Sequence, residues 1–202
     1  MPRKNTKTVE NKVLSRIYGK KRGWVFTPPQ FLDLGSRAQI GMALKSICDR
    51  GIIRRISRGL YDYPKTHPKL GLLKPTPAQI AKAIATKEHR KIQPSGAYAA
   101  NLLGLTEQVP AKIVFLTDGP DKQIKVGKQI IVLKNSTPKY MAGAGTITGI
   151  FIHALRNIGQ KNMTERRIAT LENILTVEQK DQLRKDIKFA PAWIADIVRR
   201  LI

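Results

Sequence analysis

The chain of 202 residues carries 37 Lys plus Arg against 14 Asp plus Glu, a formal charge of +23. That excess calls for an acidic partner, whether nucleic acid, an anionic membrane surface or an acidic protein, while 42% apolar and 25% charged residues exclude a disordered basic tail. One cysteine, Cys48, excludes an internal disulfide and a multi-cysteine zinc site. Met1-Pro2-Arg3-Lys4 lacks the apolar stretch of a secretory signal, and no apolar run approaches the roughly 18 residues of a membrane span, so a cytoplasmic setting without a membrane partner is expected.

Residues 1–8 read as a basic flexible tail. From Val9 to Tyr18 the apolar positions Val9, Val13, Leu14 and Ile17 fall on one helical face. Gly23-Trp24-Val25-Phe26 predicts a brief strand, with Trp24, Phe26 and Phe31 as the small core. Thr27-Pro28 supplies a cap and a first-turn proline for a helix through Leu34. Ser36 caps a third helix whose buried stripe is Ile40, Ala43, Leu44 and Ile47, with Cys48 beside it as a small apolar residue and Gly51 closing it. Arg37, Gln39, Met42 and Lys45 lie off that stripe. Ile52-Ile53-Arg54-Arg55-Ile56 and Leu60-Tyr61-Asp62-Tyr63 flank the turn Ser57-Arg58-Gly59, which predicts a hairpin.

Helix, strand, helix, tight turn, helix, hairpin is the order of a winged helix-turn-helix, assigned to residues 9–64. In that architecture the helix after the turn enters the major groove, so Ser36, Arg37, Gln39 and Lys45 are the candidate DNA-facing residues, and Arg54, Arg55 and Arg58 are expected to track phosphates. Winged helices also dock proteins, but the charge favours nucleic acid: residues 1–70 hold 16 basic and 4 acidic side chains, against 21 and 10 in residues 71–202.

Residues 65–76 are proline-rich and read as an extended linker, leaving residues 77–202 as a second, α+β domain. There, Thr76-Pro77 opens a helix carrying Ile80, Ala81, Ile84 and Ala85, and Ser95–Leu105 reads as a short buried helix. Strands are expected at residues 111–117, 123–126 and 129–133 as a small antiparallel sheet, followed by helices over residues 146–158, 164–175, 176–188 and 191–201. No catalytic residue, metal site or cofactor is expected. His67, His89 and His153 have no partner at ligand spacing, and Asp118 and Asp121 belong to a Gly-Pro turn. The glycines of residues 141–149 admit an anion at a helix N-terminus, but no Gly-Lys-Ser or Gly-Lys-Thr follows, and a flexible helix approach is the better reading.

Gly23-Trp24-Val25-Phe26-Thr27-Pro28, the Arg58-Gly59-Leu60-Tyr61 wing, Pro94–Leu105, Gln108-Val109-Pro110 and Leu116-Thr117-Asp118-Gly119, taken in that order, resemble the AbiE-type antitoxin family of type IV toxin–antitoxin systems over about residues 10–160. The resemblance implies autorepression by a winged helix at an inverted repeat near the chain's own promoter, with Arg37, Gln39, Lys45 and Arg58 facing double-stranded DNA. It also implies neutralisation of a cognate nucleotidyltransferase-type toxin by the region after Pro75, which here is short and poor in acids; the toxin's own Gly-Ser-x-Asp-x-Asp pattern is absent. The alternative is a basic RNA-binding protein, ribosome- or tRNA-associated, using Lys122, Lys125, Lys128, Lys134 and Lys139; those lysines are also what an edge strand carries to discourage pairing.

Overall fold

A computed structural model describes residues 8–127 and 129–202, so all of the expected tail but Thr8, and Lys128 among the sheet lysines, lie outside the described residues. The fold class is α+β, as expected. The chain divides into two compact units, the division falling between His89 and Arg90.

In the N-terminal unit, helix α1 (Val9–Gly19) is capped by the Thr8 hydroxyl and turns Val13 and Ile17 inward. Strand β1 (Val25–Phe26) leads into a single 3-10 turn, Pro28–Phe31, where a helix through Leu34 was expected. Pro29 disfavours α-helical backbone at the residue before it, and the bonds that form, from the Gln30, Leu32 and Leu34 N–H groups to the Thr27, Pro29 and Phe31 carbonyls, are all of the tighter three-residue kind. Helix α2 (Arg37–Asp49) follows, then β2 (Arg54–Ser57) and β3 (Leu60–Asp62) around the Arg58-Gly59 turn. The three strands order as β1-β3-β2, all antiparallel, which with α1 and α2 is compatible with a winged helix. Phe26 and Phe31, both fully buried, pack edge to face at 5.4 Å over the α1 and α2 stripes, with half-buried Trp24 and Cys48 at the margin.

Residues 65–76 are not simply an extended linker. Strands β4 (Thr66–His67) and β5 (Gly71–Leu72) pair antiparallel as an exposed ribbon. Helix α3 (Pro77–Glu88), opened by a Thr76/Gln79 capping box, belongs to the N-terminal unit: it packs on β1, and the Gln79 amide donates to the Gly23 carbonyl at 3.0 Å. The expected boundary therefore moves from the prolines to His89, which ends α3 in the left-handed conformation. α3 buries Ile80, Ala81, Ala83, Ile84 and Ala85, and an apolar stripe of that size needs packing against its own unit, where β1 lies against the helix.

The C-terminal unit contains β6 (Ile92–Pro94), a strand the sequence reading did not anticipate, then α4 (Gly96–Leu102), β7 (Lys112–Thr117), β8 (Lys122–Val126) and β9 (Gln129–Asn135). The sheet order is β6-β7-β9-β8. Both outer pairs are antiparallel, while the central pair, β7 and β9, runs parallel because the β8–β9 hairpin folds back and inserts β9 beside β7. Helices α5 (Ile147–Ile158), α6 (Glu165–Ile174), α7 (Val177–Lys185) and α8 (Ala192–Leu201) share a core centred on Phe151, Leu155, Leu171, Leu183 and Ile194. Gln179 closes the capping box with Thr176, as its spacing predicts.

Candidate nucleic-acid interface

Helix α2 starts where Ser36 accepts from the Gln39 N–H at 3.3 Å and the Gln39 side-chain oxygen accepts from the Ser36 N–H at 2.9 Å. The expected base-reading roles of Ser36 and Gln39 are thereby narrowed: both are committed to the helix start, and Gln39 keeps only its amide N–H groups for another partner. Beyond the cap, Arg37, Ala38, Gly41, Met42 and Lys45 are exposed, Met42 at 66%. Together they make an outward face of two cations around two small residues and a thioether.

Gly41 was not singled out from sequence, although a glycine inside a helical pattern is itself the signal. A Cβ there meets open space, so packing within the unit does not require glycine. Ala38 and Gly41 together let a helix backbone approach closely. Gly41→Ala is expected to stabilise the chain by roughly 0.5–1 kcal/mol, from the higher helix propensity of Ala. The same change should weaken binding of any duplex that approaches this face. Thermal unfolding and a DNA titration of one variant give both signs.

Arg54 departs from the expected phosphate-tracking role. Its Nε donates to Asp62 Oδ1 at 3.0 Å, and its Nη2 donates to Asp62 Oδ2 at 2.5 Å and to the Leu73 carbonyl at 2.7 Å. The hydrogen bond to Asp62, 2% exposed, outweighs desolvation and raises the Arg54 pKa. Arg54 alternates in facing with Arg55 along β2, and a buried carboxylate opposite it in register captures it. Arg55 and Arg58 stay exposed along the wing, and among the described residues no side-chain hydrogen bond or ion pair holds either one.

Three of the five acids of this unit are withdrawn in the same manner. Arg16 grips both Asp33 oxygens at 2.7 and 2.6 Å and the Gln30 carbonyl at 2.7 Å, tying α1 to the 3-10 turn, and its guanidinium holds the Asp33 carboxyl below the usual range. Arg50 binds Glu10 at 2.5 Å. Glu10, Asp33 and Asp62 thus face structural arginines, while among the described residues no ion pair holds Arg37, Lys45, Arg55 or Arg58 on α2 and the wing, although Asp49 lies one turn beyond Lys45 on α2. A surface built this way attracts polyanions without neutralising itself.

The glycine-rich approach to α5 uses its polar groups internally. The Gly145 N–H donates to Gln93 Oε1 at 3.2 Å, Thr146 donates to the Gly143 carbonyl at 2.8 Å, and Thr148 donates to Asp186 at 2.8 Å. Asp118 and Asp121 accept from the Lys91 and Asn135 backbone N–H groups at 3.0 and 2.6 Å, which are turn and tether roles. Among the described residues no group of three His, Cys, Asp or Glu could hold a metal, and no helix is long and apolar enough to cross a membrane.

His153 is 6% exposed, and desolvation lowers its pKa below 6.5 despite its hydrogen bond with the Tyr140 carbonyl. The folded state therefore binds fewer protons here than the unfolded chain. Stability from this group is intact above pH 6.5 and is lost as pH falls through the lower folded value. In chemical denaturation below pH 6.5, His153→Gln should give the flatter dependence of stability on pH.

Residues 12–183 match a family described as a family of unknown function, DUF6088. A solved structure titled crystal structure of RV2827C protein from Mycobacterium tuberculosis is similar at 12% identity and a TM-score of 0.47, covering 96% of this chain and 75% of that one. No curated protein matches the chain.

Proposed function

The chain belongs to DUF6088, a family of unknown function, and we propose that this member is a double-stranded DNA-binding repressor that docks α2 in the major groove and lays the β2–β3 wing along the phosphates. One observation carries the reading: three of the unit's five acids are bound by Arg16, Arg50 and Arg54, whereas Arg37 and Lys45 on α2 and Arg55 and Arg58 on the wing stay exposed and, among the described residues, form no ion pair. Met42 and Ala38 add apolar contact of the kind a thymine methyl accepts.

A gel-shift titration with DNA from upstream of the gene against a scrambled duplex tests specificity. Tighter binding to the upstream inverted repeat is expected, and equal affinity at physiological salt overturns repression at a specific site. Arg37→Ala should cost roughly 1–3 kcal/mol of specific binding if the side chain reads a base in bidentate fashion. Arg55→Ala and Arg58→Ala should weaken all duplexes alike and each lower the slope of log affinity against log salt by about 1. Preference for structured RNA over any duplex DNA would favour the RNA-binding alternative.

The resemblance to AbiE-type antitoxins extends the proposal to autoregulation and to neutralising a nucleotidyltransferase-type toxin through the C-terminal unit. Co-expression with an adjacent nucleotidyltransferase gene should restore growth. Failure of rescue with both proteins present overturns the antitoxin role and leaves DNA binding to stand on its own test.

A further inference from the structure

We propose that the cleft at the carboxyl ends of β7 and β9, closed on one side by α5, binds a phosphate monoester carried on a flat ring, the chemistry of a nucleoside monophosphate. The cleft has a volume of about 350 Å³, within the roughly 300–1,000 Å³ of small-molecule sites. Its floor lies at the end of the parallel pair, where Leu116 stands opposite Lys134 and the Ser136 N–H donates to the Thr117 carbonyl at 2.9 Å.

The lining chemistry narrows the class. Lys134 and Arg156 come from two different elements, and no carboxylate shares the cleft with them. Arg156 has no acidic partner among the described residues and lies 4.9 Å above the Tyr140 ring. Ser95, Ser136 and Asn157 add neutral hydrogen-bonding groups around the cations. Two positive charges with hydroxyl and amide donors suit a dianionic phosphate. Tyr140, 47% exposed, offers a ring for stacking a base, and its backbone is fixed by His153 Nε2 at 2.9 Å from the Tyr140 carbonyl oxygen. This site lies wholly in the C-terminal unit and is independent of the DNA-binding proposal.

Calorimetric titration of the full chain with AMP, adenosine and inorganic phosphate tests the proposal. AMP should bind saturably and at least about tenfold more tightly than either adenosine or phosphate, because only AMP engages both the cations and the ring. Lys134→Ala combined with Arg156→Ala should lower AMP affinity at least about tenfold, Arg156→Lys less, and Tyr140→Ala should weaken AMP while leaving phosphate unchanged. A 5′-phosphorylated trinucleotide separates the two sources of this chemistry: binding at least as tight as AMP identifies a strand end, and weaker binding identifies the free nucleotide. Absence of saturation by AMP overturns the site. So does AMP binding that is unaltered in the double variant.

Discussion

Asp62→Ala is expected to destabilise the N-terminal unit by about 3 kcal/mol, the lower end of the cost of leaving one partner of a buried ion pair uncompensated. The carboxylate side chain is 3% exposed, and it sits on β3 opposite Arg54 on one neighbour and Val25 on the other, so it joins all three strands of the wing sheet. Without it Arg54 keeps a single acceptor, the Leu73 carbonyl. The Arg54 side chain is 34% exposed, and water reaching it holds the loss near the bottom of the range. Chemical denaturation of wild type, Asp62→Ala, Arg54→Ala and the double variant closes the cycle. The double variant should lose less than the two single losses combined, because neither charge is then left alone. Arg54→Ala should also leave the salt slope of DNA binding unchanged, in contrast to Arg55→Ala on the other side of the same strand. A reduced slope would return Arg54 to the phosphate-facing set.

Gly149→Ala should cost about 2–3 kcal/mol, although the same exchange elsewhere in a helix gains up to about 1 kcal/mol. A Cβ at Gly149 would collide with Gln93 Oε1 and lie 2.6 Å from the Gly143 carbonyl oxygen. Gln93 is fully buried, and its oxygen already receives the Gly145 N–H, so the amide cannot retreat without losing that bond. Set beside Gly41→Ala, one substitution is thus predicted to have opposite signs at two helical glycines. A stabilised Gly149→Ala chain would show that the loop yields, and that the close approach of α5 to β6 is not what the glycine serves.

Periodicity located the α-helices because each carries a local apolar stripe, and at several a local cap marks the start: Ser36 with Gln39, Thr76 with Gln79 and Thr176 with Gln179 all close boxes that three-residue spacing announces. The wing was legible for the same reason, since Gly59 with φ +69 marks its turn. The candidate site was legible only in part. Arg37, Lys45, Arg55 and Arg58 remain exposed, whereas Arg54 is held by a residue eight positions away and by the base of a ribbon nineteen positions away. Nothing in Arg54-Arg55 as a dipeptide says which of the two turns inward.

By itself, then, the amino-acid sequence determined the charge, the α+β class, the helix starts and the winged-helix order of elements, all of which rest on composition or on contacts within a few residues. Only the tertiary structure decided that α3 belongs with the wing, that β9 lies parallel beside β7, and which cations are left without an acid. Those outcomes depend on which surfaces and charges meet across long stretches of chain, where burial and ion pairing choose among partners that local sequence leaves equivalent.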